Sequence, residues 1–336
     1  MTSNDIHELI TGGLFPVPCH QPRLVETHIS WVIICDDHVF KIKKPMHYSF
    51  LDFSTAEKRK YYCEREVMLN NRLTTDVYLG VLPVCRAHGS LTIGGPDGEE
   101  IDCALKMRRL DSSKQMDVLL KEHKVSNSQI TSLAKQVAGF HRKALVVYPN
   151  DVLDIQTKFN DLANERNFVQ QQLSKESSDL ISAAVEMSDR FLRTNENLLR
   201  QRMRSGFVRD CHGDLHSRNI FLLEEPVIFD CIEFNDDYRC IDVLNEVAFL
   251  CMDLDVFGRS DLAELFMQTY NVAFPVMGAP REERLFTYYK SYRANVRAKV
   301  NSLRARDAAN DADRRRSLNE TEKYLQLMKR YLEPLR

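Results

Sequence analysis

The chain has 336 residues, of which 43% are hydrophobic and 28% charged, and its formal net charge is -2. This is the composition of a globular protein long enough for two lobes, and near-neutrality gives no support for non-specific nucleic-acid binding. No apolar run approaches the roughly 20 residues of a membrane helix, and Met1-Thr-Ser-Asn-Asp-Ile-His-Glu has neither a basic start nor an apolar core, so no secretory signal is expected and the expected location is cytoplasmic.

Ile6 to Leu14 reads as a short helix, followed by a proline-containing entry to Pro22. Leu24 to Ile34 holds Val25, Thr27, Ile29, Trp31, Val32 and Ile33 and is β-rich. Asp36-Asp37-His38 marks a turn, and Val39 to Pro45 is the return strand, basic through Lys41, Lys43 and Lys44. Period-two alternation puts Val39, Lys41 and Lys43 on one face. Ser54-Thr-Ala-Glu57 reads as a capping box that opens a helix through Tyr61, Glu66 and Leu73. Tyr78 to Val84, Leu91 to Ile93 and Ile101 to Leu110 read as strands separated by turns, notably Gly94-Gly-Pro-Asp-Gly98. From about Asp117 the pattern turns helical, with Ile130 to Leu145 at clear helical spacing. Leu153 to Met203 is a mainly helical insert in which no chemistry is legible.

Val208 to Leu223 is an apolar run, a polar loop and a second apolar run; Val227 to Phe229 is a third, closed by Asp230. Short strands joined through a tight turn bring Asp214, Asn219 and Asp230 to one end of a small ribbon. Three oxygen-bearing side chains at one spot suit a hard cation such as magnesium. Leu262 to Phe274 and Arg281 to Arg293 are further helices. In Tyr288 to Val300, Arg293 and Arg297 lie one helical turn apart. Such a pair prefers an anionic acceptor or phosphate; a solvated basic face is the equal alternative. Ala305 to Arg316 reads as an exposed helix or connection, and Leu318 to Leu332 as a final amphipathic helix. The 9 cysteines contain no C-x-x-C pair, and Cys35, Cys103, Cys231 and Cys251 sit in apolar runs. They are read as reduced, packed thiols rather than disulfides or zinc ligands, with Cys211, beside the loop, the one to watch for reactivity.

His212-Gly-Asp214-Leu-His-Ser-Arg-Asn219, followed by Asp230, resembles the catalytic loop of the protein-kinase-like superfamily. With His where protein kinases carry Arg, it resembles the aminoglycoside phosphotransferase and choline-kinase-like branch. The resemblance implies that Asp214 is the catalytic base, that Asn219 and Asp230 are magnesium ligands, and that His212 and Gly213 shape the turn. It implies that Lys41 holds the nucleotide phosphates, with Lys43 on the same face as the alternative. Glu66 is the implied partner of that lysine, and Glu64 the runner-up. Met107 would stand at the back of an adenine pocket, with the backbones of Arg108 and Leu110 at the adenine edge. Asp242, in a pattern with Glu246, would accept bonds from the catalytic-loop backbone. Glu233, Arg293 and Arg297 are candidates to face substrate. The departures are plain. No glycine-rich loop precedes the lysine, the equivalent stretch being Glu26-Thr-His-Ile-Ser30, and no G-x-x-x-x-G-K-[S/T] occurs. Thr27-His-Ile-Ser-Trp, Lys41-Ile-Lys-Lys-Pro and Phe50-Leu-Asp-Phe-Ser-Thr resemble bacterial aminoglycoside-phosphotransferase-like proteins, some of which carry a P-loop ATPase domain after the kinase-like part.

The expected fold class is α+β: a two-lobed protein-kinase-like fold with a small antiparallel-sheet lobe over 1–110, a mainly helical lobe over 111–336, and ATP between them. The expected function is ATP- and Mg2+-dependent phosphoryl transfer to a hydroxyl of a small-molecule acceptor, with neither nucleic acid nor membrane as partner. One alternative is a nucleotide-binding, pseudokinase-like regulatory protein that works with a separate protein partner. The other is a protein kinase, against which stand His216 in place of the protein-kinase lysine and the lack of an A-P-E segment after Asp230.

Overall fold

A computed structural model describes residues 1–48, 51–87, 89–95 and 97–335. Pro96 of the expected turn and Phe50 of the quoted motif lie outside the described residues. The chain groups into two compact units, Met1–Lys124 with Arg218–Arg239, and Val125–Ser217 with Cys240–Arg336. The mixed α/β architecture, an antiparallel sheet followed by a helical part, is that of the kinase-like fold. Among the described residues no helix is long and apolar enough to cross a membrane.

In the first unit, α1 (Ser3–Gly12) starts earlier than its apolar pattern suggests because Thr2 and Asp5 form a capping box. The strands β1 (Arg23–Glu26), β2 (Ser30–Ile34) and β3 (His38–Lys43) follow, then a short pair β4 (His47–Tyr48) and β5 (Leu51–Asp52), helix α2 (Ala56–Asn70), strands β6 (Tyr78–Ala87), β7 (Ser90–Ile93) and β8 (Glu99–Arg108), and helix α3 (Met116–Lys121). The stretch read as one β-rich run is two strands because a tight turn interrupts it: Thr27 N–H donates to Ser30 O at 2.9 Å and Ser30 N–H to Thr27 Oγ1 at 3.0 Å. Six strands pair antiparallel in the order β1-β2-β3-β8-β6-β7. One face buries Trp31, Ile33, Phe40, Ile42, Leu91 and Ile93 against Ile6 and Leu9 of α1.

The alternation that buries Phe40 and Ile42 there turns Lys41 and Lys43 toward α2. Thr55, not Ser54, caps α2 by accepting from Lys58 N–H, while Ser54 bonds Asp52. Arg59 of α2 is buried and anchors on Asp102 of β8, with Nη2 2.7 Å from Oδ2. Ile220–Leu222 and Pro226–Ile228 form an antiparallel hairpin that returns to this unit. Its Phe221 and Val227 join a cluster with Cys63, Val77, Tyr78, Cys103 and Leu105.

The expectation of uniformly reduced cysteines is corrected here: Cys19 and Cys35 form a disulfide. Sequence spacing hid it, because the pairing comes from the segment after α1 running back beside the β2–β3 turn, where His20 Nδ1 also meets Asp36 at 2.5 Å. The other seven cysteines are not in disulfides.

The second unit is built from α4 (Asn127–Lys143), α5 (Asp154–Asn160), α6 (Arg166–Gln172), α7 (Lys175–Arg204), α8 (Val243–Val256), α9 (Ser260–Ala273), α10 (Pro280–Arg306) and α11 (Asp311–Leu332). The expected helices on either side of Arg293 are one continuous α10, and Asn310 caps α11 by accepting from Asp313 N–H at 2.9 Å. Every residue from Val243 to Leu254 is buried, so α8 is the unit's central element. Val208–Asp210 pairs antiparallel with Cys240–Asp242, which sets Val208 opposite Asp242 at the start of α8.

Arg202, 1% exposed, closes this core. Its Nε and Nη2 donate to the Asp242 carboxylate at 2.6 and 2.9 Å, and Nη1 donates to Val276 O at 2.7 Å. Arg202→Met strands a buried carboxylate and is expected to cost about 3–5 kcal/mol in urea denaturation. Arg200→Met, which removes the surface pair with Glu196, is expected to cost at most about 1 kcal/mol. Equal costs for the two variants would refute the assignment of Asp242 to Arg202.

Candidate active site

The first unit collects two lysines and three carboxylates. Lys41 Nζ lies 2.8 Å from Glu66 Oε1 and 2.7 Å from Asp230 Oδ1. Lys43 Nζ lies 2.7 Å from Glu66 Oε2 and also bonds Glu233. Both lysines therefore meet Glu66, while Glu64 is exposed. The two are not equivalent. The Lys41 side chain is 14% exposed and that of Asp230 43%, whereas Lys43 and Glu66 have none of their side-chain surface exposed. Burial opposes the charge on Lys41, but Asp230, Glu66 and Glu233 outweigh it and hold the ammonium well above the ordinary lysine range. Burial likewise opposes ionisation of Glu66, and the two lysines overcome it and bring its pKa down to about 2.

Asp230 occupies the left-handed region, with φ +64, which few non-glycine residues adopt. Its N–H donates to the Tyr78 hydroxyl at 2.9 Å, and the next N–H, of Cys231, donates to Asn70 Oδ1 at 3.0 Å. Tyr78 sits beside a β-bulge at Gly80, whose φ of +130 needs a glycine. Ile220 pairs with Ile228, and Phe229 N–H donates to Asn219 O at 3.1 Å. The hairpin thus brings Asn219 and Asp230 to its same end.

Those two residues offer one amide oxygen and one carboxylate. Among the described residues no group of three or more His, Cys, Asp or Glu side chains is placed to hold a metal ion. A sparse, all-oxygen donor set of this kind fits magnesium, which takes few protein ligands and keeps waters and phosphates.

Met107 packs at the edge of the cluster around Leu105 and Tyr78, with Leu110 beside it. The Arg108 N–H is already donated to Val77 O at 2.9 Å, so the adenine contact expected of its backbone does not come from that group. Glu233 turns inward to Lys43 instead of outward to a substrate, a correction that follows from its burial at 4% exposure.

In the second unit Asp214 keeps 36% of its side chain exposed and has His216 Nε2 3.3 Å from Oδ2. Burial opposes its ionisation, but His216, then Arg297 and His212, outweigh that and hold its carboxyl well below the usual range. Its N–H donates to His212 Nδ1 at 3.2 Å, which leaves the His212 proton on Nε2 in the neutral ring. Gly213 has φ +90, as its place in the turn requires.

The acid that accepts from this backbone is Glu246, not Asp242. His212 N–H lies 2.7 Å from Oε1, and Gly213 N–H lies 3.2 and 3.1 Å from the two oxygens. Asp242 is committed to Arg202 and to capping α8 through Leu244 N–H. Seven residues beyond Glu246, on the same face of α8, Asp253 accepts from Ser217 N–H at 2.9 Å. Sequence reasoning gave His216 no role beside Asp214 and did not single out Asp253; for Asp253 the available signal was an acid two turns beyond Glu246 on an otherwise apolar helix.

Arg293 is not on a solvated face. It is 5% exposed, its Nε lies 2.8 Å from Asn245 Oδ1, and its Nη1 lies 3.1 Å from Gly213 O, because α10 packs directly on α8. Arg297 is 8% exposed; its guanidinium bonds the Tyr324 side chain, while its Nε has no hydrogen-bond partner among the described residues. Cys211, the thiol singled out to watch for reactivity, is fully buried, and burial holds it well above the ordinary range, which disfavours the thiolate. The ribbon expected to hold Asp214, Asn219 and Asp230 together is also corrected, since the strand before the loop pairs with Cys240–Asp242 and not with the hairpin.

Burial pushes Glu246 up to about 7, against Arg293 and the two N–H donors. The folded protein therefore holds this proton more tightly than the unfolded chain, whose value is 4.5, and Glu246 withdraws stability as pH rises from about 4.5 to 7. The slope of unfolding free energy over that window is expected to be more positive for Glu246→Gln than for wild type. Superimposable slopes would contradict the assignment.

The sequence matches the model of the Phosphotransferase enzyme family over residues 57–286. Uncharacterized proteins of Mycobacterium tuberculosis and Mycobacterium bovis are 33% identical over 285 residues, 83% of this chain and 54% of theirs, so the chain spans about half the length of these relatives. Among solved structures, a choline/ethanolamine kinase family protein from Mesorhizobium loti aligns with a TM-score of 0.54 at 14% identity over 100% of this chain and 99% of that one. Spectinomycin phosphotransferase APH(9)-Ia, in complex with ADP and spectinomycin, aligns with a TM-score of 0.51 at 11% identity over 98% of each chain. Plasmodium vivax ethanolamine kinase aligns with a TM-score of 0.52 at 11% identity over 90% of this chain and 81% of that one. These likenesses carry the fold, and the profile match across more than half of the sequence carries the kinship: the chain belongs to the phosphotransferase enzyme family.

Proposed function

We propose that this protein is an ATP- and magnesium-dependent phosphotransferase acting on a hydroxyl group of a small molecule. The observation that carries the reading is the meeting of Lys41 with Glu66 and Asp230, at 2.8 and 2.7 Å, from a strand, a helix and a hairpin far apart in the chain. A lysine held by a helix acid beside a hairpin-end acid is the equipment for a triphosphate tail. The ADP complex of spectinomycin phosphotransferase, whose fold is similar, supports nucleotide binding.

In this reading Lys41 steadies the phosphates and Glu66 fixes the lysine. Asn219 and Asp230 hold magnesium, which when bound supplies charge neutralisation at the phosphates. Asp214 orients the attacking hydroxyl and accepts its proton. Its depressed pKa keeps it ionised at neutral pH, as a hydrogen-bond acceptor must be. His216, 3.3 Å away, holds the carboxylate in position. Glu246 and Asp253, bonded to the backbone at His212, Gly213 and Ser217, keep the loop rigid, so the positioning is set before substrate arrives.

For the acceptor we propose a compound with an anionic group. A buried guanidinium with an unpartnered Nε attracts a carboxylate or phosphate, and Arg297 is such a group in the field of Asp214.

Two measurements test this. In a panel of hydroxyl compounds, acceptor-dependent ATP consumption by Asp214→Asn is expected to fall by about two to four orders of magnitude; a rate equal to wild type would eliminate the mechanism. Within the same panel, compounds bearing a carboxylate or phosphate are expected to be preferred, and Arg297→Gln is expected to lower that preference about tenfold or more. A preference for cationic acceptors would contradict the acceptor class. Binding of ATP and magnesium with no transfer to any compound would favour the regulatory alternative.

A further inference from the structure

The second lysine of β3 has no part in the chemistry outlined above, yet it is the more deeply buried of the two. Lys43 has none of its side chain exposed, bonds Glu66 Oε2 at 2.7 Å, bonds Glu233, and stands 4.8 Å over the Phe53 ring. Burying an ammonium group so fully is costly unless the geometry needs it. We propose that Lys43 and Glu233 are positioning residues that clamp Glu66 and the backbone after Asp230 before any nucleotide binds, leaving Lys41 as the exchangeable lysine. This rests on the nucleotide-binding reading of the first unit.

Three features of the first unit support it. The pair nearest solvent is Lys41 with Asp230, at 14% and 43% side-chain exposure, while Glu66, Lys43 and Glu233 lie at 5% or below. The outer pair is thus open to exchange with a ligand and the inner trio is not. Next, Glu66 divides its two oxygens between the two lysines. When Lys41 turns to a phosphate, Glu66 keeps a full ionic partner in Lys43. Without Lys43 the same movement strands a buried carboxylate, the costly half of a broken pair. Last, Glu233 lies three residues past Asp230, and the intervening backbone is fixed from α2. Asn70 Nδ2 donates to Glu66 O at 2.8 Å, and Asn70 Oδ1 accepts from Cys231 N–H at 3.0 Å. Lys43 supplies a second tie from β3 to the same segment. Together these hold Asp230 in its left-handed conformation, which costs a residue with a side chain energy that the surrounding structure must offset.

The consequence is a nucleotide site assembled in the resting protein. Helix α2 is fastened by an interior lysine, so no modification or partner is required to bring Glu66 into place. The cluster as a whole sets three carboxylates against two ammonium groups, and its one solvent-open acid is Asp230.

The test uses the full chain, with ADP as the probe, in magnesium and in excess EDTA. Amide hydrogen exchange is read on the ligand-free protein and affinity by calorimetry. Glu233→Gln is expected to speed exchange at Asp230 and Cys231 about tenfold or more. It is expected to weaken magnesium-dependent ADP binding about tenfold or more, and binding in EDTA much less. Lys43→Met is expected to do the same, and the double variant to be no worse than Lys43→Met alone, as for residues acting as one unit. A folded Glu233→Gln protein with wild-type exchange at those amides and a wild-type magnesium dependence overturns the proposal; so does a double variant with additive losses. If Lys43→Met does not fold, Glu233→Gln decides alone. If the wild-type protein binds no ADP, the nucleotide reading fails, and exchange at the two amides still decides the clamp.

Discussion

A carboxylate sealed from water must be met by positive charge or lose its own. Glu66 meets two lysines, and that pairing sets the arrangement of the first unit. It turns the polar face of β3 toward α2, so the other face can bury Phe40 and Ile42 with α1. It fixes the rotation of α2, which places Asn70 one turn on to receive Cys231 and sets Arg59 against Asp102 of β8. Through Lys41 and Lys43 it also reaches Asp230 and Glu233, which is why the 218–239 segment belongs to this unit despite its distance in the chain. The apolar anchor of that segment, Phe221 and Val227 among Leu105 and Tyr78, supplies the burial that offsets the cost of collecting charges.

The second unit solves a similar problem differently. Its loop leaves the N–H groups of His212, Gly213 and Ser217 without a strand or helix to satisfy them, and buried donors need acceptors. Glu246 and Asp253, projecting from an otherwise apolar α8, provide them. Arg293 from α10 closes the arrangement by bonding Gly213 O and Asn245. The loop is therefore held by helices on both sides, and the carboxylate of Asp214 stays partly exposed above a rigid base. A side chain that must hold one orientation for chemistry gains from such support.

Much of this was legible in the residues. Alternation along Val39 to Lys43 placed both lysines on one face, and the apolar runs around Asp230 marked a hairpin. Four things were not legible, for physical reasons. Period two cannot rank Lys41 against Lys43, because rank depends on depth beneath α2, a tertiary property. The choice between Asp242 and Glu246 turned on which acid Arg202 reached first, and Arg202 arrives from a helix whose sequence carries no sign of chemistry. The disulfide joins Cys19 to Cys35 across an irregular segment with no periodicity to read. Helical spacing puts Arg293 and Arg297 one turn apart, as observed, but the sequence of α10 does not reveal that these two face inward while Arg281, Arg284 and Arg304 are exposed.

The central claim is that Asp230, Asn219 and Lys41 receive a metal-bound triphosphate. Crystals grown with manganese and a non-hydrolysable ATP analogue test it directly. The account predicts an anomalous peak within bonding distance of the Asp230 carboxylate and the Asn219 amide oxygen, with Lys41 on a phosphate and Lys43 still on Glu66 and Glu233. A metal and nucleotide seated away from these residues, or no peak at saturating concentrations of both, would contradict it.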